Sequence, residues 1–119
     1  MRIPADGCLL RVFLGESDRW SGRPVYEAIT LKAREMQLAG ATVLRGSMGF
    51  GASSRLHTAK VLRLSEDLPI VVEVVDARER IEALLREIEP MLTGCLVTLE
   101  RVEVIRYAAS GSSGGQGGA

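Results

Sequence analysis

The sequence predicts an α+β domain of the ferredoxin-like, βαββαβ kind, a four-stranded antiparallel sheet with two helices on one face. Three observations lead there. Apolar stretches at 8–14, 41–48, 68–76 and 95–107 have the length and aliphatic content of strands. Two segments between them carry apolar residues at helical spacing. Their order is strand, helix, strand, loop, strand, helix, strand, and 119 residues suit one such domain.

Residues 1–7 form a lead-in ending at Asp6-Gly7, and CLLRVFL (8–14) is the first strand. GESDRWSGR (15–23) has Gly, Ser and Asp at turn-forming positions and reads as a loop. Pro24 suits the first turn of a helix, where its missing N–H costs nothing. Val25, Ile29, Ala33 and Met36 then mark one face of a helix running to about Ala39. Gly40 stands where a left-handed C-terminal cap is wanted. ATVLRGSM (41–48) is the second strand, and the glycine-rich RGSMGFGASSRLHTAK (45–60) carries the chain onward.

LPIVVEVVD (68–76) is the clearest strand. Asp76 opens the second helix, with Glu79 three residues on as an acidic form of the capping box. Ile81, Leu84, Leu85 and Ile88 give its i, i+3, i+4, i+7 stripe. Pro90 and Gly94 mark its end and a turn into CLVTLERVEVIRY (95–107), the last strand. The domain spans 8–107, and the Gly/Ser-rich 108–119 reads as a disordered tail.

Two helices cover one face of such a sheet, so the other face of a monomer should be polar. It is not. In the third strand Ile70, Val72 and Val74 point one way, while Val71 and Val75 flank Glu73 on the other. In the first, Leu10, Val12 and Leu14 alternate with Leu9 and Phe13. Something must cover the second face, and another copy of the chain is the plain candidate.

Composition narrows the function. Fifteen basic and fifteen acidic side chains cancel, which argues against nucleic acid as a partner. Thirteen of the fifteen cations are arginine, the side chain suited to forked phosphate contacts, so a local anion site stays open. No apolar run reaches the roughly 20 residues that span a bilayer, and the N-terminus has no basic-then-apolar pattern. A cytoplasmic protein that is not membrane-inserted is expected. Cys8 and Cys95 lack CxxC spacing and read as buried thiols.

GATVLRGSMGFGASSRLHT followed by LSEDLPIVVEVVD resembles an uncharacterised PII-like family, domain of unknown function number 190, over about Cys8 to Tyr107. More distantly it is similar to the PII nitrogen-signalling proteins, in Gly40-Ala41-Thr42 and Gly49-Phe50-Gly51. The resemblance implies a PII-like sandwich in a homotrimer, with an adenine nucleotide (AMP, ADP or ATP) held between subunits and no required cofactor. It also implies signalling through a flexible loop at about 50–64, which docks on an enzyme or a membrane transporter or channel. Carried over residue by residue, Thr42 lies near the adenine and Gly51 offers its backbone N–H to the phosphates, with Gly49 and Phe50 as further ligand-binding residues of the same motif. Ser53 stands where PII proteins have a glutamine. Gly94 stands in a segment, PMLTGCLVT, that lacks the PII lysine, which favours fewer phosphates than ATP has. Arg101 and Arg106 are stand-ins for the PII phosphate arginines. Arg101 is read as the phosphate cation, and Arg106, among Glu100 and Glu103, rather as a member of cross-strand ion pairs.

From spacing alone the glycines of 46–51 read as a bulging strand end, since they form neither a Walker motif nor GxGxxG. The resemblance makes a backbone anion cradle equally good. Arg55, His57 and Lys60 read as solvated loop residues that a partner would contact, and a lone histidine is a poor metal site. Trp20 reads as capping the end of the barrel or a subunit seam, with stacking on a base as the alternative. Glu16, Asp18, Glu66 and Asp67 match no metal spacing. A ligand-binding regulator is therefore the expected function. An enzyme acting on a nucleotide or small anion in the same cleft is the alternative, for which no catalytic constellation or metal cluster is evident. The two-sided strands predict that light scattering at micromolar concentration returns a multiple of the chain mass; a monomer would contradict them.

Overall fold

A computed structural model describes residues 6–50 and 67–108. The elements are β1 (Asp6–Gly15), a hairpin of β2 (Arg19–Trp20) and β3 (Arg23–Pro24), α1 (Val25–Glu35), β4 (Ala41–Arg45), β5 (Pro69–Asp76), α2 (Arg78–Ile88), a 3-10 turn at Glu89–Met91, and β6 (Leu96–Glu103). Four strands make one antiparallel sheet in the order β4-β5-β1-β6. That is the expected ferredoxin-like arrangement, with β4 and β6 at opposite edges.

Strand alternation decides which side chains meet the helices. Leu10, Val12, Ile70, Val72 and Val74 are at most 1% exposed and pack with Ile29, Ile81, Leu84 and Ile88. Each such side chain contributes about 1.5–3 kcal/mol by leaving water, so this single layer between sheet and helices is the core. The other parity, Leu9, Phe13, Val71 and Val75, points away from the helices. There Leu44 is 48% and Leu96 59% exposed. The two-sided apolar character expected from the sequence is present.

Several local expectations give way. GESDRWSGR is not wholly loop: Arg19–Trp20 pairs with Arg23–Pro24 around Ser21 and Gly22, both at positive φ. Helix α1 stops at Glu35, and the left-handed residue that ends it is Gln37 (φ 61°), not Gly40. Strand β4 ends at Arg45 and β6 at Glu103, both short of their apolar runs. Glycine at 46 follows from packing, because a Cβ there would lie 2.8 Å from the Pro69 ring, and its N–H donates to the Pro69 carbonyl at 2.7 Å.

Asp76 does not cap α2; the cap position is Ala77, without a side-chain bond. Instead the Asp76 carboxylate is fully buried. Its Oδ1 accepts from the Ala77 N–H at 2.6 Å and its Oδ2 from the Ala39 N–H at 2.9 Å. Arg80 Nε stands 3.6 Å away, and the same guanidinium donates to the carbonyls of Met36 and Gln37 at 2.9 Å. The end of α1, the start of β4 and the start of α2 are thus tied at one point. Asp76→Ala should lower stability by about 2–4 kcal/mol, because it leaves the Ala39 and Ala77 N–H groups without their acceptor. Denaturant unfolding checks it, and a loss below about 1 kcal/mol would show that the corner holds without the carboxylate.

Candidate ligand-binding site

Beyond β6 the chain leaves the sheet edge and passes over the face away from the helices. Val104 sits on Gly7, where a Cβ would come 2.9 Å from Val104 Cγ2, so this crossing requires a glycine beneath it. The segment ends on the corner that Asp76 holds, with the Tyr107 hydroxyl donating to the Ala39 carbonyl at 3.3 Å. Between this strap and the β4 edge lies a pocket of about 390 Å³, within the range of small-molecule sites. Gly40, Thr42, Glu73, Val75, Arg106 and Tyr107 line it. It offers an aromatic ring, apolar walls, a hydroxyl, a carboxylate and a guanidinium.

The site residues expected from the sequence occupy different corners of the sheet. Thr42 is in this pocket, on the β4 edge. Gly49 and Phe50 lie beyond the other end of the same strand, where Phe50 is 68% exposed. Gly94, at φ 75°, precedes β6 at that end but on the opposite edge. Two strands intervene, so the edges stand about 14 Å apart at the usual strand spacing. Arg101 pairs with Cys8 in register and therefore points to the helix side, lining a shallow recess with Asp6 and Glu103. One chain does not bring Arg101 to Thr42; it brings Arg106. Gly51, Ser53, Arg55, His57 and Lys60 lie outside the described residues.

A polar row crosses the apolar face from this pocket. Thr42 is opposite Glu73, Glu73 opposite Arg11, and Arg11 opposite Thr98. Arg11 Nε donates to Glu73 Oε2 at 2.9 Å and its Nη1 to Glu100 Oε1 at 3.0 Å. These bonds, Glu73 first, push the Arg11 guanidinium above its already high value, and Arg78 is raised likewise by Glu82. Composition could not reveal the row; it appears only once the register is known.

The remaining candidates have structural roles. Asp18 accepts from the Gly15 N–H at 3.0 Å, and Asp67 accepts from the Ser17 N–H and hydroxyl at 3.2 and 2.8 Å, stapling the turns at one sheet end. Glu16 pairs with Arg45. Trp20, exposed, lines a recess with Leu31 and Met91 on the helix side, away from the Thr42 pocket. Among the described residues no three His, Cys, Asp or Glu side chains are grouped to hold a metal. Cys8 is buried, and burial, with the charge of Asp18 second, pushes the Cys95 thiol up. Among the described residues no helix is long and apolar enough to cross a membrane.

The family model DUF190, "Uncharacterized ACR, COG1993", matches residues 7–104. The chain belongs to the DUF190 family. A UPF0166 protein of Aquifex aeolicus (strain VF5) is 41% identical over 97 residues, covering 82% of this chain and 91% of its own. The UPF0166 protein MJ1524 of Methanocaldococcus jannaschii is 32% identical over 77 residues, 65% of this chain and 70% of its own. Among solved structures, the DUF190 chain is similar to CPII of Thiomonas intermedia K12, a nitrogen regulatory PII-like protein. CPII bound to ADP and bicarbonate aligns with TM-score 0.63 at 17% identity, over 85% of this chain and 90% of that one. CPII bound to ADP, AMP and acetate aligns with TM-score 0.60 at 16% identity, over 89% and 94%. The fold of this DUF190 member is thus PII-like.

Two outcomes follow from the packing. Gly46→Ala should cost about 1–3 kcal/mol, because the Pro69 ring cannot turn aside; an unchanged unfolding midpoint would contradict the contact. Because the folded Cys95 pKa is raised, less thiolate is present at any neutral pH than in a free cysteine. Its reaction with a disulfide reagent near pH 7.5 should therefore be slower than that of a model thiol and rise toward it above pH 9. A faster reaction would mark an activated cysteine.

Proposed function

We propose that this protein is a PII-like regulator that binds an adenine nucleotide at the seam between copies of itself. The observation that carries the reading is the division of the candidate residues between two sheet edges. Thr42 lies on the β4 edge with Gly49 just past its end; Arg101 lies on the β6 edge with Gly94 just before its start. Strand edges with free N–H and C=O groups invite pairing or cover. Laying the β6 edge of one copy against the β4 edge of the next unites both sets and, repeated, closes a ring. A homotrimer, its apolar faces turned inward, satisfies this closure.

The CPII neighbours support the ligand class, since they are PII-like proteins bound to ADP or AMP. The pocket supports it as well. Tyr107, Val75 and Val104 suit a planar base, and Arg106 supplies a cation. The stretch around Gly94 has no lysine, so AMP or ADP is favoured over ATP. Signal output runs through the 50–64 segment, with Arg55, His57 and Lys60 presented to an enzyme, transporter or channel. Binding would alter the affinity of that segment for the partner.

Calorimetric titration with AMP, ADP and ATP should give saturable heat for at least one. Arg106→Ala should weaken that binding about tenfold or more, the loss of one charge-assisted hydrogen bond. No heat with any of the three would remove the nucleotide reading, and turnover of the bound nucleotide would move the protein to the enzyme class.

A further inference from the structure

Resting on that reading, we infer that Glu73 is the residue that selects the base, by accepting a hydrogen bond from the 6-amino group of adenine. The pocket's polar side chains are Thr42, Glu73, Arg106 and Tyr107. The Tyr107 hydroxyl is engaged by the Ala39 carbonyl. A threonine hydroxyl both donates and accepts, so Thr42 does not discriminate. Arg106 only donates and attracts anions. Glu73, paired with the Arg11 guanidinium through Oε2, is the one acceptor-only side chain in the lining.

Position strengthens the assignment. Glu73 is opposite Thr42 in register, and its side chain is 29% exposed, open to the pocket yet held by Arg11. A carboxylate so placed repels phosphate, so a bound nucleotide turns its phosphates away from it. The base then lies nearest Glu73, between Val75 and Tyr107. An amino group there completes a charge-assisted bond to the oxygen that Arg11 does not take, whereas a carbonyl oxygen or a bare C–H leaves that oxygen without a donor. Arg11 positions Glu73, and Arg11 keeps Glu100 as a partner if Glu73 is changed.

The test compares AMP with purine riboside 5′-monophosphate, which lacks only the 6-amino group, on the wild-type protein and on Glu73→Gln. The wild type should bind AMP about tenfold or more tighter than the analogue, the cost of leaving the second carboxylate oxygen of Glu73 without a donor. Glu73→Gln should narrow the ratio to about threefold, mostly by weakening AMP, with circular dichroism and oligomeric state unchanged. Measurable binding of both ligands at equal affinity to the wild type overturns the assignment alone. So does a ratio that the substitution leaves intact. Failure of both ligands to bind the wild type overturns the nucleotide reading, and this assignment with it.

Discussion

A carboxylate removed from water must have its charge answered by the protein, and Asp76 is answered from three directions. Backbone N–H groups of Ala39 and Ala77 meet its two oxygens, and the Arg80 guanidinium stands beside it. The same guanidinium takes up carbonyls at the end of α1, where the helix dipole is negative. This one node joins both helices to the sheet at the β4 end. It also sets the Ala39–Thr42 corner, against which the 104–107 strap closes through Tyr107. The pocket exists where it does because the corner is held there.

The second constraint is that two helices cover one face of a four-stranded sheet. What they leave open is neither polar nor uniformly apolar. Apolar side chains at both ends flank the row Thr42, Glu73, Arg11 and Thr98. An apolar face drives association without direction, while a charged row at its centre fits only an arrangement that keeps its bonds. The row also reaches the pocket at Glu73, so the groups that would touch a ligand and those that would meet a second copy belong to one network.

The architecture was legible because its signals are periodic: the stripe of Ile81, Leu84 and Ile88, and the alternation in LPIVVEVVD. Boundaries failed where tertiary contacts override local preference. Gln37 rather than Gly40 turns left-handed because the helix closes there, with the Leu38 N–H donating back to the Ala33 carbonyl while Arg80 takes the Gln37 carbonyl. Asp76 looked like a helix cap because its sequence position suits one, yet burial gives it a longer reach. The site was half legible. Thr42 is in the pocket, but Arg106, ranked below Arg101, is the arginine that joins it. The difference is strand parity combined with the strap leaving the sheet at Val104, and no single-sequence pattern records that departure. The sequence shows Glu73 only as a carboxylate flanked by Val71 and Val75, since its partners Arg11 and Thr42 are distant in the chain.

Crystals grown with AMP would examine the central claim most directly, because they show ligand and neighbouring copy at once. The account predicts density for the nucleotide with its base beside Thr42, Glu73 and Tyr107. Its phosphates should run toward a seam completed by the β6 edge of another copy. Nucleotide bound wholly within one chain, or seated on the helix side near Trp20, would contradict it.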